Sequence, residues 1–228
     1  MTFHAAVAHR TSTFSALALR LDALREIEQV CAAIREQVQR RLKRSGAVVA
    51  LSGDIDSSVT AALCARALGP ENVLGILPES DCDLDGLRLG RIAARACGLK
   101  TLIAQIGRRH YPRAQTQHFH AERLDYAVAG TFCRHLHTRD DGVDFAPIAH
   151  LYQSQVYQLA DHLGVPEEIV WTAPAERDAF SSPLSYREMD LCLYALDNGV
   201  AAEDTAYATG LTAEQVLTVW RDIKSKRN

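Results

Sequence analysis

The side chains best suited to chemistry cluster in Ser52-Gly53-Asp54-Ile55-Asp56-Ser57-Ser58, which brings two carboxylates, three hydroxyls and a glycine into seven residues. The segment follows the wholly apolar run Ala47-Val48-Val49-Ala50-Leu51 and precedes a helical pattern, so it sits where a buried strand turns into a helix. At such a corner the backbone N–H groups and the helix N-terminus converge on one point and bind anions, phosphate above all. Small residues let a phosphate approach the main chain, and the Ser57 and Ser58 hydroxyls add donors. Corners of this kind are also common without any ligand, so the seven residues alone leave both readings open. Two other groupings bear on chemistry. His118 and His120, with His135 and His137, form two His-x-His pairs of a spacing that binds zinc or copper on a shared strand face and is merely solvated on a loop. The six cysteines are scattered through apolar patterns without a Cys-x-x-Cys pair, which reads as buried thiols rather than as a zinc or redox site.

The elements that must position this loop are legible from periodicity. Apolar residues recur every three or four positions from Phe14 to Leu42, which predicts one long amphipathic helix before the strand at 47–51. Helices are expected at 58–68, closed by Gly69, and at 85–97, closed by Gly98, with strands at 73–77, 101–106 and 126–129. The stretch 107–117 is polar and poorly patterned. A helix over 151–163 ends at Gly164 and Pro166, and Ser185 with Glu188 and Thr212 with Gln215 are capping-box pairs that open two late helices. Strand and helix alternate, which predicts an α/β fold with a doubly wound parallel sheet and C-terminal helices.

With 228 residues, 47% of them hydrophobic, the chain can bury one sizeable core, and we expect a flexible tail over 1–15 and a single domain over 16–228. The net charge of -3, with both signs interspersed, provides no broad field for a nucleic-acid backbone. The helix, Gly210 and helix pattern over 202–223 resembles a DNA-reading unit, but the acidic balance argues against that use. No apolar run approaches the roughly 20 residues of a membrane span, and no secretory leader is visible, so a cytoplasmic protein without membrane or nucleic-acid partners is expected.

The loop is similar to the SGGxDSS signature of the PP-loop ATP pyrophosphatases (the adenine nucleotide α hydrolase-like fold), and the likeness continues along the chain. Asn72-Val73-Leu74-Gly75-Ile76-Leu77-Pro78 and Ala129-Gly130-Thr131 resemble two strand segments of the ammonia-dependent NAD synthases. Gly142-Val143-Asp144-Phe145-Ala146-Pro147-Ile148, followed by Leu151, Tyr152, Val156, Leu159 and Ala160, resembles that family's GGVDxxPI and HLYKxxVxxLA segments. Ser185-Tyr186-Arg187-Glu188-Met189-Asp190 resembles its SYxExD helix. The resemblance covers nearly everything after residue 20. It implies ATP and Mg²⁺ as cofactors, adenylation of a carboxylate with release of pyrophosphate, attack by ammonia, and a homodimer packed through the region of Tyr126 and the helix from Leu151. It further implies that Leu51, Ser52, Gly53, Ser57, Ser58, Leu77, Thr131 and Gln153 surround ATP and that Asp56 holds the metal; Asp54, which the family pattern lacks, is a second candidate ligand on its chemistry alone. On the same ground Asp56 and Ser57 lie at the reacting end, with Asp54 beside them in the loop, and Asp140 and Asp144 face the substrate.

Several positions depart from the family pattern. Asp54 replaces the second glycine of SGG and sets a carboxylate beside the expected pyrophosphate, which costs on the order of several kcal/mol unless a cation intervenes or the acid protonates. Leu136 falls where a metal-binding glutamate is expected, and Gln153 replaces a lysine that contacts the triphosphate. The family's segment between positions 106 and 127, which holds deamido-NAD at the dimer interface, is shortened. So is the acidic stretch before Ser185, reduced to residues 175–183, where Glu176 or Asp178 is the remaining acidic ligand. These losses predict little or no NAD synthesis and leave two alternatives. One is an altered ligase that adenylates another small carboxylate for ammonia or a different nucleophile donor. The other is a degenerate homologue that acts as a nucleotide-binding or partner subunit. Cys133, beside the site, raises sulfur transfer as a weaker idea because no partner cysteine accompanies it.

Overall fold

A computed structural model describes residues 14–79, 84–105, 113–134, 142–171 and 184–227. The described chain divides into two compact units, one of residues 21–183 and one that joins the N-terminal residues up to Arg20 with residues 184–228.

The larger unit carries the loop. Its sheet has four parallel strands in the order β3-β2-β1-β4, with β1 at Gly46–Ala50, β2 at Val73–Glu79, β3 at Lys100–Gln105 and β4 at Tyr126–Ala129. Side chains alternate across a strand, and here the alternation separates two cores. Ala47 and Val49 of β1 join one apolar cluster with α1 (Ala23–Arg35), α2 (Ile55–Leu68), α3 (Leu84–Ala96), α5 (Gln153–Leu163) and the short α6 (Glu167–Val170). Val48 points the other way and meets Leu74, Ile76, Val128 and Ala121 of α4 (Arg113–Leu124). A central strand buried on both faces is the doubly wound arrangement, and it explains why 47–51 carries no polar residue.

Three sequence expectations change. The long N-terminal helix is broken: a 3₁₀ turn at Ala16–Leu19 stops, and α1 begins afresh because the Asp22 carboxylate accepts the Arg25 N–H at 3.2 Å as an N-cap. Beyond Arg35 the helix widens into a π turn over Glu36–Arg41. The helix after the loop starts at Ile55 rather than at residue 58, because Asp54 is its N-cap. Helix α4 begins within the poorly patterned stretch, at Arg113; among its described side chains only Gln117 and Ala121 are buried, four residues apart, which is too little apolar signal for periodicity to register.

In the smaller unit both capping boxes are present. Ser185 opens α7 (Tyr186–Asp197), where its N–H donates to Glu188 Oε2 at 2.7 Å and its Oγ accepts the Glu188 N–H at 3.3 Å. Thr212 and Gln215 do the same ahead of α9 (Ala213–Arg227), at 2.8 and 3.2 Å. Between them, α8 (Ala202–Thr209) ends at Gly210, and Trp220 Nε1 of α9 donates to the Cys192 carbonyl at 2.8 Å. Among the described residues no helix is long and apolar enough to cross a membrane.

Candidate functional site

Strand register decides which residues meet at the carboxyl edge of the sheet, where open α/β folds place their ligands. Val49 pairs with both Gly75 and Ala129, so Leu51, Leu77 and Thr131, each two residues further along its own segment, follow the strands towards the same edge. The Leu51 N–H still donates to the Ile76 carbonyl at 2.8 Å. Three of the expected residues therefore belong to one edge of the sheet, but Leu51 and Leu77 are fully buried. Their side chains fill the space beside Gly75 and Gly90: a Cβ on Gly90 would lie 2.6 Å from the Leu51 carbonyl oxygen and 2.8 Å from Leu77 Cδ2. Both leucines are core residues under α3, and what they offer a ligand is backbone.

The turn itself is tightly built. Gly53 has φ +86°, in the region that disfavours a side chain, and a Cβ there would stand 2.6 Å from the Gly86 carbonyl oxygen and 2.9 Å from Leu89 Cβ. Gly86 and Gly90, four apart and so on one face of α3, let that helix lie directly against the turn. Sequence reasoning did not single out these two glycines; their spacing within a helical pattern was the available signal.

At the start of α2 the side chains satisfy one another. Asp54 Oδ1 accepts the Ser57 N–H at 2.8 Å and Oδ2 accepts the Ser52 hydroxyl at 2.6 Å. The hydroxyls of Ser57 and Ser58 donate to the Asp54 carbonyl at 3.1 and 2.7 Å. Asp54 is exposed, whereas Ser57 and Ser58 are buried. Asp56 is held from another element: Gln153 Nε2, at the first turn of α5, donates to Asp56 Oδ1 at 2.7 Å, and Cys133 Sγ donates to Gln153 Oε1 at 3.1 Å. Gln153 and Cys133 are both buried, so the loop, the segment after β4 and the start of α5 are joined by an interior polar chain. Cys133 thus has a structural partner that its sequence position gave no reason to expect. Next to it, the Arg134 guanidinium lies 5.3 Å from the Tyr152 ring centroid and donates to the Tyr152 hydroxyl at 3.1 Å.

Asp144 is placed by β4 rather than by the loop. Its Oδ2 accepts the Val128 N–H at 2.7 Å, and the next residue, Phe145, bridges to Ala129 in parallel and accepts the Gly130 N–H at 2.7 Å. Residues 142–145 therefore continue the sheet edge for a short distance. Asp140, Leu136, His135, His137, Glu176 and Asp178 lie outside the described residues. His118 and His120 fall on α4, not on a strand, and helical positions two apart point away from one another; His118 Nε2 instead pairs with the Gly142 carbonyl.

Among the described residues no group of three or more His, Cys, Asp or Glu side chains converges to hold a metal. Mg²⁺ is commonly bound through one or two carboxylates together with substrate phosphates and waters. Asp54 and Asp56 are the two carboxylates that the loop offers, and each is engaged by partners within the protein.

Among the other described cysteines, burial holds the thiols in their protonated form. Desolvation, with the nearby Cys31 and Cys97 thiols adding to it, raises Cys64 far above the ordinary value. Burial pushes Cys97 up to about 11, and burial with the Glu188 carboxylate pushes Cys192 up to about 12.

A family model described as NAD synthase matches this chain in two overlapping stretches, residues 26–135 and 112–228. The chain is 35% identical to the NH₃-dependent NAD⁺ synthetase of Rhizobium rhizogenes over 306 aligned positions, which cover 95% of this chain and 92% of that protein. It is also 35% identical to the protein of that name from Hyperthermus butylicus, over 85% of each chain. The first alignment is longer than the 228 residues of this chain, so the rhizobial protein carries several dozen residues that face gaps here. Among solved structures, the NH₃-dependent NAD synthetase of Campylobacter jejuni superposes with a TM-score of 0.66 at 24% identity, over 90% of this chain and 95% of that one. NMN synthetase from Francisella tularensis superposes with a TM-score of 0.69 at 18% identity, over 92% and 97%. At those identities the two structures speak to the fold alone.

Proposed function

Because this chain belongs to the NAD synthase family, we propose that residues 51–58, the segment after β4 and the start of α5 form an ATP site in which a carboxylate is adenylated for attack by ammonia or another nucleophile. The observation that carries this reading is the 2.7 Å bond from Gln153 to Asp56, which ties the loop to the other segment that the family motif assigns to the triphosphate. The Ser52, Ser57 and Ser58 hydroxyls and the N-terminus of α2 favour the phosphates, and Thr131 follows β4 towards the same sheet edge. A Mg²⁺ carried in on the nucleotide would meet Asp54 and Asp56 and would supply neutralisation of phosphate charge. The protein's own share of the reaction is to position the ends of ATP and to keep water from the activated carboxylate.

Deamido-NAD is not the carboxylate in this proposal. Gln153 donates a hydrogen bond where a lysine would supply a full positive charge, and Leu136 replaces a carboxylate. Losing either costs roughly 10² in rate for chemistry that rests on electrostatic stabilisation. The shortened stretch between residues 106 and 127 removes the segment that binds deamido-NAD in the resemblance. The protein is read as a homodimer in the cytoplasm on the strength of the family alone.

A second reading, a homologue that binds nucleotide without turning it over, is favoured by one specific observation. The loop hydroxyls and both acids of the loop have partners within the protein, so the ligand-free arrangement stands without any ligand. The two readings separate on product analysis. Incubation with ATP, Mg²⁺, ammonium and a panel of small carboxylates that includes deamido-NAD is expected to release AMP and pyrophosphate in equal amounts with one of the others. No AMP with any acid, despite measurable ATP binding, selects the second reading; NAD formed at about 1 s⁻¹ or faster removes the exclusion of deamido-NAD.

A further inference from the structure

The donors that would seat a phosphate at the start of α2 are already engaged by a carboxylate of the protein. Asp54 takes the Ser57 N–H at 2.8 Å through one oxygen and the Ser52 hydroxyl at 2.6 Å through the other. We propose that the Asp54 side chain is a built-in competitor for the anion seat of this loop: it takes the donors that a phosphate group would use and has to leave when one binds. The inference deepens the nucleotide reading and rests on it for the location of the seat.

Three features of the loop make Asp54 the part that moves. The turn cannot yield, because Gly53 is fixed at φ +86° with the Gly86 backbone and Leu89 against it. Asp56 cannot substitute, because Gln153, buried and backed by Cys133, holds its carboxylate from α5. Asp54 is exposed, so rotation about its own side-chain bonds carries the carboxylate into water. Departure of the carboxylate gives up the cap of α2 and leaves a negative charge within a few ångströms of the incoming anion. Both penalties fall on ligands with phosphate at this position and on no others. A divalent cation shared between Asp54 and the phosphate relieves the second penalty, so anion affinity here becomes dependent on the cation.

The probe is inorganic pyrophosphate, titrated calorimetrically into the full chain with and without Mg²⁺, beside AMP as a ligand that lacks the pyrophosphate. Asp54→Asn keeps a capping oxygen but removes the charge, and Asp54→Gly removes both. We expect pyrophosphate to bind at least about tenfold tighter to Asp54→Asn than to wild type without Mg²⁺, and tighter again to Asp54→Gly, with AMP affinity unchanged. Equal pyrophosphate affinity in all three proteins, including no binding to any, overturns the proposal. A gain for pyrophosphate with no AMP binding anywhere upholds it while removing the nucleotide reading; AMP binding with no gain for pyrophosphate does the reverse. Should Asp54→Gly fail to fold, the Asn variant and the amide resonance of Ser57 in wild type still decide. That resonance shifts on pyrophosphate addition if its acceptor is exchanged, and an unmoved resonance at saturation overturns the competitor.

Discussion

Replacing Gln153 by Leu tests the interior chain that joins the loop to α5. The substitution roughly conserves volume, removes the 2.7 Å donor to Asp56 and leaves the Cys133 thiol without the 3.1 Å acceptor. A hydrogen bond to a charged group contributes about 1.5–3 kcal/mol, and because Asp56 is partly exposed the lower end applies. The thiol is a weak donor and adds about 0.5 kcal/mol or less. Leucine regains part of this through apolar burial, so a net loss of about 1–2 kcal/mol is expected. The single variant mixes these effects, and a cycle with Asp56→Ala isolates the bond. The favourable interaction of Asp56 with the N-terminus of α2, about 0.3–1 kcal/mol, cancels in the cycle. Urea unfolding followed by far-UV and near-UV circular dichroism, with coincident transitions, gives the four free energies. A coupling of about 1–2 kcal/mol supports the chain; a coupling below about 0.3 kcal/mol, within the error of additivity, refutes the claim that Gln153 holds Asp56.

Gly53→Ala introduces a side chain at φ +86° and 2.6 Å from the Gly86 carbonyl, and a fall in stability of about 2 kcal/mol or more is expected from urea unfolding. Native thiol labelling at pH 8 should leave Cys64 and Cys192 unmodified and modify Cys97 slowly, because burial holds all three protonated; rapid labelling of Cys64 contradicts the packing of α2. The same raised thiols make stability pH-dependent. The folded protein keeps protons that the unfolded chain releases near pH 8.5, so the contribution is complete below that pH and declines as pH rises towards about 11, the value for Cys97. A thermal midpoint that rises between pH 8.5 and 11 would be the wrong sign.

Much of the sheet was legible because a strand buried on both faces admits almost no polar residue, and 47–51 and 126–129 satisfy that condition in the sequence. The late helices were legible because a capping box is a local device, written in Ser185 with Glu188 and Thr212 with Gln215. Helix α4 was not, since a helix that buries little beyond Gln117 and Ala121 leaves almost no apolar period. The loop was found by its composition, but its state was not. In the sequence Asp54 is a charge that repels phosphate or recruits a metal, and in the fold it is in addition the N-cap of α2, a role visible in the step from Asp54 to Ser57. The link from Cys133 through Gln153 to Asp56 joins positions 20 and 97 residues apart, and no local pattern announces such a contact. Leu51 and Leu77 show the opposite limit: their positions at the sheet edge follow from the strands, but only packing reveals that the Leu77 side chain lies beside Gly90 of α3 and the Leu51 side chain beside Gly75.

The central claim is that ATP enters the site built on residues 51–58, and calorimetric titration of the full chain with ATP, at saturating Mg²⁺ and again in its absence, tests it most directly. The account predicts micromolar binding that depends on Mg²⁺ in wild type, and binding largely independent of Mg²⁺ in Asp54→Asn. No heat of binding in wild type, with binding restored only when Asp54→Gly is combined with Gln153→Lys, would contradict it and mark the site as degenerate.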